Sequence, residues 1–110
     1  MDTTLERSGD QLILRIGGAL TALCADGLRA TIDEIVAESH DDVVVDLGQL
    51  RVIDSSGVGA LVSLYKRLRQ RGGSMIVRAV SNQPLAIFRL LRLDRVLFPK
   101  GDLASGAVAA

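Results

Sequence analysis

Asp54, Ser55, Ser56 and Gly57 form the most chemically suggestive group of neighbours in this 110-residue chain. A serine hydroxyl becomes a nucleophile when a base stands ready to take its proton, and that base is most often histidine. His40 is the sole histidine, in the polar stretch Ser39-His40-Asp41-Asp42, where a solvated loop residue is the simpler reading. Asp54 also occupies the place of the first glycine in a hydrolase nucleophile elbow. Gly57-Val58-Gly59 lacks the third glycine of a dinucleotide fingerprint, and no phosphate loop of the Walker type occurs. One histidine and one cysteine, Cys24, cannot complete a zinc site. No catalytic residue, metal ligand or cofactor site is assigned, and the chain reads as a binding protein rather than an enzyme.

The same tetrapeptide has a structural use. It joins an apolar, strand-like segment to a helix, so its serines fall where a side-chain oxygen caps the free N–H groups of the first turn. Plain capping accounts for Ser56, and close helix–sheet packing accounts for Gly57 and Gly59. Ser55 offers more. A junction after a central strand exposes its tip, and the small residues Ser55, Ser56, Gly57 and Gly59 leave the helix start open to another protein. A helix N-terminus also tolerates phosphate, because its N–H groups and dipole favour negative charge.

The elements that position this junction follow from periodicity. Gln11 to Ile16 alternate as a half-buried strand that Gly17-Gly18 ends or bends. From about Ala22 to Ser39, Leu28, Ile32, Ile35 and Val36 recur at helical spacing opposite a charged face. Val43-Val44-Val45-Asp46-Leu47 is β-branched and apolar on both sides, as in a central strand covered on both faces. Leu50 to Ile53 then lead into the motif, and Val58, Leu61, Val62, Tyr65 and Leu68 continue as a helix to Arg71. Gly72-Gly73 stops it. Met75 to Val80 reads as a strand returning parallel, and Pro84 suits the first turn of a helix with Ile87, Leu90 and Leu91 on its buried side. Val96-Leu97-Phe98 is expected as a last strand, and residues 101–110 as a marginal helix or a frayed tail. The whole predicts one α/β domain over 1–110: a mixed sheet of four to five strands with three to four helices.

Composition sets the outer limits. An apolar fraction of 48% with 24% charged residues belongs to a folded globular domain. No apolar run reaches the roughly 18 residues of a membrane span, and no apolar signal core opens the chain, so a cytoplasmic protein without membrane insertion is expected. The net charge of zero hides an asymmetry, with ten acids and three bases in residues 1–50 and three acids and ten bases in residues 51–110. Either a basic surface for an anionic partner or two opposed faces of one fold would produce it. Nucleic-acid binding is disfavoured, because Tyr65, Phe88 and Phe98 all fall at apolar-facing positions and leave no stacking platform.

The order Asp46-Leu47, Val52-Ile53, Asp54-Ser55-Ser56-Gly57-Val58-Gly59-Ala60-Leu61, then Gly72-Gly73-Ser74-Met75, resembles the STAS domains of bacterial anti-sigma factor antagonists over nearly the whole chain. The resemblance implies a mixed sheet with helices mainly on one face. It also implies a partner, an anti-sigma factor with serine kinase activity, for which Ser55 is the phosphorylation target. The unmodified form would bind that partner and free a sigma factor; a phosphatase would regenerate it. The partner-binding residues implied are Asp54, Ser55, Ser56, Gly57, Val58, Gly59 and Thr21, the last standing where family members often carry an acid. Related domains also serve lipid- or anion-transport and stress-signalling assemblies without phosphorylation, which is the alternative reading.

Overall fold

Gly9, in the left-handed region at φ 61°, turns the chain between β1 (Asp2–Ser8) and β2 (Gln11–Leu20), which pair antiparallel with Leu5 opposite Leu14. The computed structural model describes residues 1–38 and 42–98; His40 and the 101–110 tail lie outside them. The remaining elements are α1 (Ala25–Ala37), β3 (Asp42–Asp46), β4 (Leu50–Ile53), α2 (Ser55–Gln70), β5 (Ser74–Arg78), α3 (Asn82–Leu90) and α4 (Asp94–Leu97). Strand order is β1-β2-β3-β5, with β4 pairing the far end of β2. β3 lies parallel to both β2 and β5, in register Leu12 to Val43 to Met75, so the expected central strand is flanked on both sides. The sheet is mixed because the N-terminal hairpin pairs antiparallel while β2–β3, β2–β4 and β3–β5 pair parallel.

Alternation decides which face is covered. Leu12, Leu14 and Ile16 of β2, Val43 and Val45 of β3, and Met75 and Val77 of β5 are all buried in one core. Leu28, Ile32 and Ile35 of α1 and Leu61, Leu64 and Leu68 of α2 close over them at three- and four-residue spacing. The helices therefore pack on one face, as the resemblance implied. The opposite face carries an ion ladder across four strands: Arg15 pairs with Glu6 and lies 3.9 Å from Asp46, which Arg78 reaches at 3.1 Å.

β2 does not end at Gly17-Gly18. Gly18 takes φ 82°, the register shifts between Gly18 and Ala19, and the strand bends onto a new partner, β4. This bend carries Leu20 alongside Ile53, the residue that precedes the motif.

Two expectations near the C-terminus are corrected. Val96-Leu97-Phe98 forms no strand; Asp94–Leu97 is a single helical turn, α4. A three-residue apolar run fits either state, and here Leu97 anchors the turn while Phe98 meets Phe88 edge-on at 5.9 Å. On α3, Pro84 and Phe88 are the buried pair, Ile87 is half-buried, and Leu90 and Leu91 are 75% and 51% exposed. The helix ends at Leu90 and Arg92 reverses the chain at φ 60°, so these leucines leave the stripe that meets the core.

Candidate functional site

The start of α2 is held from three directions. On one edge, β2 pairs with β4, and the Asp54 N–H donates to the Leu20 carbonyl at 3.2 Å. Across from it, the Gln83 side chain acts as a one-residue strand: its Oε1 accepts from the Ile53 N–H and its Nε2 donates to the Ile53 carbonyl, each at 3.0 Å. Behind it, Gly57 packs so closely that a Cβ would lie 2.6 Å from the Leu20 oxygen and 2.8 Å from an Ile53 side-chain carbon.

Asp54, not a serine, caps the helix. Its backbone is extended at φ −112° and ψ −176°, which lets Oδ1 accept from the Gly57 N–H at 3.0 Å. Ser55 and Ser56 are already helical, so the capping role expected of Ser56 passes to Asp54. Oδ2 of the same carboxylate accepts from the Ala22 N–H at 2.9 Å, tying the β2–α1 turn to the helix start. The Gly57 and then the Ala22 N–H hold the Asp54 carboxyl below its ordinary range.

The expected site residues divide by depth. Ser55 is exposed, and its hydroxyl has no hydrogen-bond partner among the described residues. Gly59 is also exposed, and a Cβ there would meet nothing within 4 Å, so packing does not explain it. Asp54, Ser56 and Thr21 are half-buried. Gly57 and Val58 are buried and shape the site from beneath. Thr21 lies in the turn that Asp54 tethers, where its carbonyl accepts from Cys24 and Ala25 at 3.0 and 2.9 Å. Two participants had no sequence signal: Gln83, about thirty residues on, and the Ala22 N–H.

This arrangement presents an unencumbered hydroxyl on a rigid mount. Among the described residues no cluster of histidine, cysteine or carboxylate groups is placed to hold a metal ion, and no helix is long and apolar enough to cross a membrane. A shallow cleft of about 560 Å³ on the uncovered sheet face, lined in part by Arg15, Asp46 and Arg51, includes none of the motif residues.

Residues 2–105 match the STAS domain family model. The chain belongs to the STAS domain family. This STAS domain is 35% identical, over 82% of its length and 75% of the relative's, to an anti-sigma F factor antagonist from Paenibacillus polymyxa. That likeness places it with the anti-sigma factor antagonists. Its fold matches the crystal structure of an anti-sigma factor antagonist from Mycobacterium paratuberculosis with a TM-score of 0.77 at 24% identity, covering 99% of this chain and 94% of the other. It also matches the Bacillus cell fate determinant SpoIIAA in its phosphorylated form, with a TM-score of 0.72 at 19% identity, covering 96% and 99%.

Proposed function

We propose that this STAS domain is a phosphorylation-controlled protein-binding switch that works by docking and not by catalysis. Its unmodified form binds an anti-sigma factor and thereby frees a sigma factor; phosphate on Ser55 ends the binding, and a phosphatase restores it. The single observation that carries this reading is the exposed, unpartnered Ser55 hydroxyl at the first helical position, released from capping by Asp54. The antagonist relatives support an anti-sigma factor as partner, and they favour this reading over a transport subunit.

The physics needs no rearrangement. Phosphorylation adds about −1.5 to −2 charges and three acceptor oxygens. The first-turn N–H groups and the helix dipole make the modification compatible with the fold. Within an interface the same dianion must lose its water, and a buried unpaired charge costs about 3–5 kcal/mol. At roughly 1.4 kcal/mol per tenfold, affinity falls by a hundredfold to several thousandfold.

The test uses the anti-sigma factor of the source organism that transfers phosphate from ATP to this chain. Ser55→Ala should take no phosphate and bind that factor as the unmodified wild type does, while Ser55→Asp should bind at least tenfold more weakly by calorimetry. Equal affinities for the two variants would remove the switch.

A further inference from the structure

Leu23 is 99% exposed, yet it does not stand on a loose loop. The Thr21 carbonyl accepts two N–H bonds beneath it, the Thr21 N–H meets the Cys24 sulfur at 3.3 Å, and the Cys24 thiol donates to the Ala19 carbonyl at 3.1 Å. The residue before it, Ala22, donates to the Asp54 carboxylate. Leu23 and Ser55 therefore each follow one end of a single 2.9 Å hydrogen bond.

Single exposed aliphatic residues are common on protein surfaces, so exposure alone assigns nothing. Position does. Leu90, Leu91 and Val96 keep partial cover, whereas Leu23 has essentially none. Ala22, Ser55 and Gly59 are exposed and small, and the Ala22–Asp54 bond ties the turn that carries the leucine to the residue before Ser55. A turn already fixed by five hydrogen bonds loses little further freedom on binding, the condition under which an aliphatic anchor gains most affinity.

We propose that Leu23 is the apolar anchor by which the anti-sigma factor grips this domain, entering a pocket of that partner next to Ser55. The inference rests on the reading of Ser55 as part of the docking surface. The anti-sigma factor is the occupant because the leucine is continuous with that surface through Asp54. The anchor also divides the labour of the interface: Leu23 supplies affinity that salt does not screen, and Ser55 supplies the veto.

The experiment titrates the purified kinase-competent anti-sigma factor, without ATP, into wild type, Leu23→Ala, Leu23→Met, Ser55→Ala and Ser55→Asp. Leu23→Ala should weaken binding by about ten- to a hundredfold, the worth of a buried leucine side chain. Leu23→Met should recover most of it, and urea midpoints should not move, because Leu23 is fully exposed in the free chain. Leu23→Ala binding within twofold of wild type, with Ser55→Asp still weakened, overturns the anchor and leaves the switch standing. Equal binding by Ser55→Ala and Ser55→Asp removes the switch reading and this inference with it. Sedimentation showing a wild-type dimer that Leu23→Ala abolishes would assign the leucine to a second copy and also overturn the proposal.

Discussion

Gly57 and Gly59 stand two residues apart in one helix for different reasons. At Gly57 a methyl group would strike the Leu20 backbone and the Leu20 and Ile53 side chains, so the glycine is what lets α2 approach the bent end of β2. Gly57→Ala should destabilise the domain by roughly 1–3 kcal/mol through overpacking. At Gly59 nothing is in the way, and glycine in a helix interior costs about 1 kcal/mol relative to alanine. Gly59→Ala should therefore stabilise the free chain by roughly 0.5–1 kcal/mol. Urea denaturation of both variants checks the opposed signs; a destabilised Gly59→Ala would mean that the helix start packs more tightly than the structure shows.

Among the elements, α3 governs the strand that feeds the switch. β4 has a strand partner in β2, and the Gln83 amide satisfies both backbone groups of Ile53, the last residue before Asp54. Gln83→Leu keeps the bulk but leaves a partly buried N–H and carbonyl unpaired, a loss of roughly 1–3 kcal/mol. Hydrogen exchange should show the Ile53 amide exchanging faster in that variant, with the amides of β3 unchanged. Uniform acceleration across the sheet would mean instead that Gln83 supports the fold at large. Neither this contact nor the Ala22–Asp54 bond was legible in the sequence. Both join residues about thirty apart, and local spacing carries no record of such pairs.

On the scale of the whole molecule, two carboxyls among the described residues titrate below their ordinary values. Asp54 is held down first by the Gly57 N–H and then by the Ala22 N–H, and Glu6 by its bond to Arg15. A carboxyl whose folded pKa is depressed adds stability above its unfolded value, and that stability is lost as pH falls through the folded one. With ordinary values of 3.8 and 4.5, stability from these groups should be level at neutral pH and decline below about pH 4.5. Urea midpoints across that range test the sign, and Asp54→Asn should make the decline shallower. A midpoint that rises on acidification would contradict the hydrogen bonds assigned to Asp54.

Period-two and helical patterns in the sequence alone determined most of the strands and helices, the parallel return of β5 and the exposure of one end of α2. These are local properties, since a side chain's own neighbours along the chain set its periodicity and its capping chemistry. Tertiary packing decided the rest. It made Asp54 the cap, sent β2 past its glycines, wound Val96 and Leu97 into a turn, left Leu90 and Leu91 outside the core, and tied the turn that carries Leu23 to Asp54. Each of those outcomes depends on which distant backbone groups and apolar surfaces come within reach, and only the closed sheet with its covering helices brings them there.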